Sequence, residues 1–263
     1  MIKEILVDSF NYIKNNFKTL SIGAIIYGII GAIWGVLEGF IYYYSHYNAD
    51  LMSLTLIVLF IIIFLITIFI GFIVAGYYVR VMRVTVNNSN KAPDWDDIGG
   101  LFVDGLLLTV GIITLFIIFL IVPILFFVLG AITLVFGIGI IFIILGLIFL
   151  IVALILSYLY NPLSQVNFAV KGFKGFFEFK RIFSLMKSLD YILLMIALFI
   201  ISIGVGIVIT IITFPITLIT IIAKNLYIYI LLYSLVYLIQ FFISYYLSIF
   251  IIRAVSLYYR ERS

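Results

Sequence analysis

The charged residues that could support chemistry are concentrated in one short stretch of this apolar chain. They are two arginines followed by four aspartates: Arg80, Arg83, Asp94, Asp96, Asp97 and Asp104. We call these six residues, with Trp95 and the later Arg253, the polar cluster. Arginine can bind a carboxylate or a lipid phosphate, and neighbouring carboxylates can bind a divalent cation. The stretch therefore allows structural ion pairing with helix capping, a headgroup, ion or partner site, or a divalent-cation site.

The order of these residues favours the structural role. Asp94 stands three residues before Asp97, the spacing of a capping box, so Asp94 is predicted to cap a helix. Asp96 and Asp97 would then lie in the first turn, where carboxylates suit the helix dipole. Adjacent helical residues point about 100° apart, so a cation shared by Asp96 and Asp97 is the least favoured interpretation. Trp95 suits a membrane interface.

Asp104 differs from the other acids because it opens an apolar segment. An unpaired carboxylate in a membrane span costs a few kcal/mol on insertion scales. Antiparallel packing of the segments on either side of the loop would bring Asp104 to the depth of Arg80 and Arg83. We therefore predict that Asp104 pairs with one of these two arginines, with Arg253 as the alternative.

Residues for most other chemistry are missing from the sequence. The chain has no Cys and one His, His46, which excludes thiolate metal sites, cysteine nucleophiles and histidine clusters. It has no phosphate-binding Gly-Lys motif, zinc-binding helix motif or serine elbow. We therefore predict a protein that is not an enzyme and has no cofactor and no metal. The net charge of +4 is too diffuse for nucleic acid but suits anionic lipid headgroups.

The elements around the polar cluster are long and apolar. Of the 263 residues, 67% are hydrophobic and 10% are charged, whereas soluble domains carry about 25% charged residues. Crossing the ~30 Å hydrocarbon core takes about 20 apolar residues. Six segments qualify, which predicts an all-α, polytopic transmembrane helix bundle in one domain, 1–263: Leu20–Tyr44, Leu54–Val79, Leu101–Pro123, Ala131–Leu159, Tyr191–Phe214 and Tyr227–Ile252.

Prolines set the predicted ends of two spans. Pro123 is expected to end the third span or to lie near its end, because proline removes a helical hydrogen bond and clashes with the preceding turn. Pro215 is expected to break or kink the chain after the fifth span. Residues 216–223 would then form a short re-entrant or interfacial piece.

The positions of lysine and arginine indicate the orientation. With six spans, 14 of the 15 basic residues fall on one side, and only Lys224 falls on the other. Basic residues mark the cytoplasmic side, so we predict a multi-pass protein of the cell membrane with both termini in the cytoplasm. His46 and Asn225 are expected outside, where tyrosines such as Tyr42 and Tyr227 form aromatic belts.

Two of the predicted cytoplasmic segments have apolar residues at helical spacing. In the first segment the shared face carries Ile2, Ile5, Leu6, Phe10, Ile13 and Phe17. In the second it carries Phe176, Phe179, Phe183, Met186 and Leu189. Polar residues lie opposite, which predicts two amphipathic helices in the inner interface. The alternative is that each segment extends the span that follows.

The same two segments match at a constant offset of 173 residues. The matching pairs are Phe10 and Phe183, Lys14 and Lys187, Leu20 and Leu193, Ala24 and Ala197, Gly31 and Gly204, and Arg80 and Arg253. This predicts a parallel internal repeat of residues 1–86 and 174–259. Residues 94–170 would form a central helix pair between the two copies.

Small residues recur at every fourth position in several spans. The first span carries two such rows, Ala24, Gly28 and Ala32, and Gly31, Gly35 and Gly39. Lipid tails are as apolar as leucine, so membrane helices associate by close packing, which small residues permit. We expect these rows to pack helices within one bundle. A dimer face is the alternative.

Three motifs carry a resemblance to a known family. They are Tyr-x-x-Arg-x-x-Arg at Tyr77–Arg83, Pro-x-Trp-Asp-Asp at Pro93–Asp97 and Leu-Phe-x-Asp-Gly-Leu at Leu101–Leu106. Together they resemble the hallmark of an uncharacterised prokaryotic membrane family, largely archaeal, known as domain of unknown function 4013. A lysine often follows the last motif in that family, where this chain has Leu107. The resemblance implies a membrane protein of this plan and carries over no activity.

The sequence favours a membrane component without enzymatic activity. The deepest polar residues are Gln240 and threonines such as Thr114 and Thr210. No ionisable residue is predicted at mid-membrane, which argues against proton or sodium coupling. We expect a lipid-interacting or partner-binding envelope component. The alternative is an uncoupled transporter or permease-like component for a lipid or small amphiphile. The expected partners are membrane lipids with anionic headgroups at the inner face, and a protein partner or homo-oligomer stays open.

Overall fold

The chain folds into long α-helices that lie side by side. The computed structural model describes residues 1–47, 54–222 and 225–262. These residues contain eight α-helices and no β-strand, which confirms the all-α prediction. The helices are α1 (Ile2–Asn15), α2 (Phe17–Tyr47), α3 (Leu54–Val86), α4 (Ile98–Thr133), α5 (Gly139–Lys171), α6 (Phe179–Met186), α7 (Leu189–Ile222) and α8 (Leu226–Arg262).

Six of the described helices are long and apolar enough to cross a membrane, as predicted. They are α2, α3, α4, α5, α7 and α8. Because the number of spans is even, both termini lie at one end of the bundle, together with α1, α6 and the loop between α3 and α4. We call this end the proximal face. The opposite end, with the α2–α3, α4–α5 and α7–α8 connections, is the distal face.

Burial is concentrated toward the proximal face. Two hydrophobic clusters lie there, one around Phe176 and Tyr258 and the other around Tyr77 and Tyr245. Toward the distal face, most side chains of α3, α4, α5 and α7 are exposed and apolar. Such a surface is stable in lipid and would not be in water, so the distal halves of these helices have lipid as their solvent.

Glycines bring α2 and α8 into backbone contact. A methyl group on Gly31 would lie 2.5 Å from the Tyr237 carbonyl oxygen, and one on Gly39 would lie 2.8 Å from the Ile230 Cα. Gly35, between them, faces the α8 backbone even more closely. This row therefore packs two helices of the same chain, as expected for a bundle.

A second pair of glycines joins α3 to α4. Gly76 faces the Leu101 carbonyl and Gly105 faces the Phe72 carbonyl, and neither site has room for a methyl group. Not every glycine of the spans has this role. A methyl group on Gly71 would meet nothing within 4 Å, because that side of α3 faces lipid.

Pro123 does not end the third span. α4 continues through Pro123 to Thr133, so the prediction was wrong, and the fourth span begins at Gly139 rather than Ala131. Membrane helices tolerate proline because neighbouring helices and local adjustment satisfy the freed backbone group. Pro123 is itself buried. The connection between these two helices consequently lies at residues 134–138.

Pro215 does not break the fifth span either. α7 continues through it to Ile222, so residues 216–222 are helical, and the predicted re-entrant piece is wrong over this range. A kink at Pro215 and an interfacial position of the last turn of α7 stay predictions. Residue 223 lies outside the described residues. A proline in a long apolar helix is therefore a weak sign of a boundary when lipid surrounds the helix.

Both predicted amphipathic segments contain a helix that is distinct from the span after it. Asn16 interrupts the helix between α1 and α2, and residues 187–188 separate α6 from α7. On α1, Ile5 and Tyr12 are buried, whereas Phe10 is 64% exposed. The predicted apolar face is thus divided between the bundle and its surroundings. The position of α1 in the interface stays a prediction.

The internal repeat also stays a prediction. Each proposed unit has the same order of elements, with α6, α7 and α8 corresponding to α1, α2 and α3. Two matched pairs have different surroundings, however. Leu20 is buried and Leu193 is exposed, while Gly31 packs on α8 and Gly204 would meet nothing within 4 Å.

We predict that Gly35→Ala destabilises the protein and that Gly71→Ala does not. The added methyl group at Gly35 would overlap the backbone of α8, and overpacking costs about 1–3 kcal/mol. At Gly71 there is open space, and alanine is the better helix former. Thermal unfolding of both variants in one detergent, followed by circular dichroism, measures the difference. Equal melting temperatures would contradict the α2–α8 contact.

Candidate functional site

Arg80, near the end of α3, holds the loop that leads into α4. Its guanidinium donates to the Asp96 carbonyl at 2.8 Å and to the Asp97 carbonyl at 3.1 Å. It also pairs with both carboxylates, at 2.6 Å to Asp96 and 3.4 Å to Asp97. Because these carboxylates are more than 70% exposed, at 78% and 71%, water screens the charge attraction. The bonds to backbone carbonyls are what shape the loop.

Asp97, not Asp94, caps α4. The helix begins at Ile98, and the Asp97 carboxylate accepts the N–H of Gly100 at 3.0 Å. Asp97 has a left-handed backbone, with φ 45°, a conformation that aspartate adopts more readily than most residues. The predicted cap at Asp94 is wrong because Arg80 binds the carbonyls of residues 94, 96 and 97 and keeps this stretch out of the helix.

Asp104 pairs with Arg83, which confirms the predicted ion pair, and not with Arg253. Two parallel hydrogen bonds of 2.6 and 3.0 Å join the carboxylate to the guanidinium, the stronger geometry for such a pair. The Nε of Arg83 donates to the Ala169 carbonyl of α5 at 2.9 Å. One arginine therefore connects α3, α4 and α5. The next residue, Gly105, sets the close approach of α4 to α3.

Trp95 is packed between α2 and α3. Its ring stacks on Tyr77 with centroids 3.9 Å apart, and its Nε1 donates to the Thr19 carbonyl at 3.2 Å. The Tyr77 hydroxyl in turn donates to the Pro93 carbonyl at 3.0 Å. The aromatic residue of the second motif thus fastens the loop to two helices.

Arg253 forms a separate, fully buried junction. Its Nε and one Nη each lie 3.0 Å from the Asp8 carboxylate of α1. The other Nη donates to the Thr85 hydroxyl at 3.1 Å and the Ser89 carbonyl at 2.8 Å. The Asn90 side-chain oxygen accepts a further bond of 2.6 Å. A buried charge is tolerated only with such a shell, so this junction ties α8 to α1 and to the α3–α4 loop.

The aromatic ring of Tyr12 completes the Arg253 junction. The guanidinium carbon lies 4.4 Å from the centre of this ring, within cation–π range. Burial raises the pKa of the Tyr12 phenol to about 12, and the nearby Arg253 offsets part of that rise. Tyr12 therefore stays neutral at physiological pH and contributes its ring face to the cation.

Several residues of this site were missed in the sequence, notably Asp8, Asn16 and Asn90. Asn16, which separates α1 from α2, donates to the Asn90 carbonyl at 2.9 Å and accepts the N–H of Ala92 at 2.8 Å. These partners are 74 and 76 residues apart, and Asp8 and Arg253 are 245 apart. No local spacing could indicate such pairs.

A second polar group, outside the polar cluster, holds the turn after α5. Asn167 donates to the Gly175 carbonyl at 2.8 Å and to the Glu178 carboxylate at 3.1 Å. Lys171 pairs with the same carboxylate at 2.6 Å. The hydrogen bonds from Lys171 and Asn167 hold the pKa of Glu178 below its usual value. Their stabilisation is present at neutral pH and is lost as the pH falls through that lowered pKa.

The arrangement favours structure over catalysis at the polar cluster. Each arginine in it is bonded to protein carboxylates, and the Asp96 and Asp97 carboxylates face Arg80 rather than a vacant cation site. Among the described residues, no group of three or more His, Asp or Glu is placed to hold a metal ion. The cluster therefore fits ion pairing and helix capping best among the three interpretations.

We predict that Asp104→Ala destabilises the protein and that Asp94→Ala leaves it close to wild type. Loss of the Asp104 carboxylate leaves Arg83 without its bidentate partner, and hydrogen bonds to charged groups contribute about 1.5–3 kcal/mol. The Asp94 side chain is exposed, and Arg80 contacts only its carbonyl oxygen. Thermal unfolding in detergent distinguishes the variants, and an Asp94→Ala variant that melts below Asp104→Ala would refute this ranking.

Sequence comparison shows where the chain belongs. Two uncharacterised proteins of Methanocaldococcus jannaschii are 37% and 39% identical to it. The first alignment covers 98% of the chain and 95% of the relative, and the second covers 100% and 98%. No solved structure matches the chain. A profile of the family described as Protein of unknown function (DUF4013) matches residues 59–214, so the resemblance carried by the three motifs is confirmed and the chain belongs to the DUF4013 family.

Proposed function

We propose that this protein is a non-enzymatic, lipid-interacting component of the cell membrane whose helix α1 binds anionic lipid at the cytoplasmic leaflet. The observation that carries the proposal is a stripe of four residues on the exposed side of α1: Lys3, Val7, Phe10 and Lys14. Their spacing of four, three and four residues places them on one helical face. Val7 is 49% and Phe10 is 64% exposed, and both lysines are exposed.

This stripe has the composition of an interfacial surface. Apolar side chains at its centre would cost free energy in water and gain it among acyl chains. The lysines at its ends can lay their methylene groups along the apolar surface and place their ammonium groups among phosphates. Phe17 and Lys18, at the start of α2, are also exposed and extend the pattern.

An apolar groove beside the stripe offers a place for an acyl chain. It has a volume of about 540 Å³ and lies between α1, α7 and α8. Its lining includes Leu6, Val7 and Phe10 from α1, Val205 from α7, and Leu247 and Phe250 from α8. The volume falls within the range of pockets that hold drug-sized ligands, roughly 300–1,000 Å³.

The charges of the proximal face support an anionic ligand. Three of its arginines, Arg80, Arg83 and Arg253, are paired with carboxylates. The described residues include no ion pair at Lys3, Lys14 or Lys18. These lysines therefore keep their charge for phosphate groups, whereas the arginines of the polar cluster hold the fold.

We predict that replacing Lys3, Lys14 and Lys18 together with glutamine weakens binding of phosphatidylglycerol and leaves phosphatidylcholine binding nearly unchanged. Each lysine contributes about 1 kcal/mol near an anionic surface, so the loss of all three should lower the affinity about a hundredfold. Native mass spectrometry of the delipidated protein during lipid titration measures the bound copies. A matched control replaces Lys174, Lys180 and Lys187 with glutamine, which removes the same charge from exposed positions outside α1, in and beside α6.

The groove is tested by filling it. Val205→Trp should lower the retention of both lipids, because it occupies the groove, while Val208→Trp, on the exposed side of α7, should not. An equal loss of phosphatidylglycerol in both lysine triples would mean that lipid responds only to net charge. That outcome, or unchanged retention in Val205→Trp, would refute a site at α1.

The proposed orientation is tested by cysteine accessibility. The chain has no Cys, so single cysteines at positions 46 and 225 can be compared with cysteines at positions 91 and 180. The excess of lysine and arginine on the proximal side predicts that only the first two react with an impermeant thiol reagent in intact cells. Reaction at 91 or 180 in intact cells would reverse the assignment, and lysed cells provide the control for reactivity.

A further inference from the structure

The connection between α4 and α5 has a composition unlike that of a water-exposed loop. It consists of a 3₁₀ turn, Leu134–Phe136, followed by Gly137 and Ile138. We call residues 134–138 the hairpin tip. None of its side chains is polar, and the side chains of Val135 and Phe136 are 90% and 76% exposed. This is the most exposed apolar turn in the described part of the chain.

The tip lies in the middle of a long stretch without charge. No Asp, Glu, Lys, Arg or His occurs among residues 105–170. The other two connections at the distal face are polar in sequence, with Ser-His-Tyr-Asn-Ala-Asp at 45–50 and Lys-Asn at 224–225. Two distal connections therefore have the composition of segments that reach water, and the hairpin tip does not.

The α4–α5 hairpin is longer than the hydrocarbon core is thick. From Leu106 to Leu134 the helix rises about 42 Å at 1.5 Å per residue. The hydrocarbon core is only ~30 Å thick. An upright hairpin would push Val135 and Phe136 through the headgroups into water. A tilted hairpin keeps them in lipid, which is the usual response of an overlong apolar helix.

The distal part of the hairpin buries few of its side chains in the described structure, which leaves it room to tilt. Along residues 124–152 the buried positions are three glycines, Gly130, Gly139 and Gly146. Gly130 and Gly139 lie at the seam between α4 and α5, where Phe126 and Phe149 also stack at 4.9 Å. The attachment of α4 to α3 is at the other end, through Gly105.

The backbone of the tip is suited to the edge of the hydrocarbon core. The Gly137 N–H donates to the Leu134 carbonyl at 3.0 Å, and the Ile141 N–H donates to the Ile138 carbonyl at 3.0 Å. Gly137 has φ 75°, which closes the turn without strain. These internal hydrogen bonds lower the free-energy cost of removing the turn from water. The remaining carbonyls need hydrogen-bond partners at the interface, because irregular backbone is not stable deep in lipid.

We propose that the hairpin tip is a lipid-contacting element that inserts its apolar side chains among the acyl chains at the distal interface. Its partner is the lipid itself, and the α4–α5 hairpin tilts to keep the tip there. This contact is independent of the α1 site, which lies at the opposite face of the membrane. With the proposed α1 site, the protein would contact lipid in both leaflets. The lysines and Phe10 of α1 would do so at the proximal face, and the uncharged hairpin tip at the distal face.

The test compares Phe136→Cys with Asn225→Cys in single-copy nanodiscs. Position 225 is exposed in a polar distal connection and is the matched control. A polar maleimide should react with Cys at position 136 at least about ten times more slowly than with Cys at position 225, because the reagent attacks only a water-exposed thiolate. After denaturation in dodecyl sulfate the two rates should agree. A fluorophore at position 136 should also be quenched more strongly than one at 225 by lipids that carry a nitroxide near the ester region.

Each other outcome overturns the proposal. Equal labelling rates in nanodiscs, or a fluorophore at position 136 that lipid nitroxides do not quench, would place the tip in water. Protection that appears only in discs with several copies would identify the tip as an interface between copies. Neither result bears on lipid binding at α1, so failure here and failure of the proposed function are distinguishable.

Discussion

The buried guanidinium of Arg253 is the interaction on which the proximal half of the molecule depends. Arginine stays charged in proteins and brings five N–H donors, so a bundle that encloses it must supply a complete shell. Asp8 supplies the charge, Thr85 and Asn90 supply side-chain oxygens, and Ser89 supplies a carbonyl. These groups come from α1, from α3 and from the loop after it. Removing one partner would leave a buried charge unsatisfied, which is far more costly than never burying it. The position of α1 and the course of the loop follow from this requirement.

The remaining contacts follow from lipid as the solvent. No hydrophobic driving force brings two apolar helices together in a membrane, so they are held where backbones touch or where polar groups bond. The glycine row of α2 against α8, and the pair Gly76 and Gly105 between α3 and α4, provide the first kind of contact. Arg83, which bonds Asp104 and the Ala169 carbonyl, provides the second. Because the polar contacts lie near the proximal face, the distal parts of α4, α5 and α7 are left largely to lipid.

How much of this could be predicted depends on the range of each interaction. The lengths of the apolar segments predicted the six spans. The shared membrane depth of Asp104 and the two arginines predicted their ion pair. Both predictions need only the positions of residues along neighbouring helices. The rule that proline ends a helix comes from water-soluble proteins, and it failed at Pro123 and Pro215. In water, the backbone groups of a broken helix can hydrogen-bond to solvent. In lipid they cannot, so the helix continues. The cap was placed at Asp94 because local spacing cannot anticipate that Arg80 competes for the same carbonyls. The Arg253 shell was out of reach, because Asp8 and Arg253 are 245 residues apart.

The motifs that link the chain to its family therefore form a structural junction between helices rather than a catalytic site. Arg80 and Asp97 set the start of α4, Trp95 seats the loop on Tyr77, and Asp104 with Gly105 fixes the crossing of α3 and α4. The arginines of these motifs are poor candidates for ligand binding, since a ligand would have to replace bonds that hold the loop and the helices. What the fold leaves available is different in kind: lysines and an apolar groove at the proximal face, and an uncharged turn at the distal face. Function is best sought on those surfaces, because their basic and apolar side chains complement lipid headgroups and acyl chains.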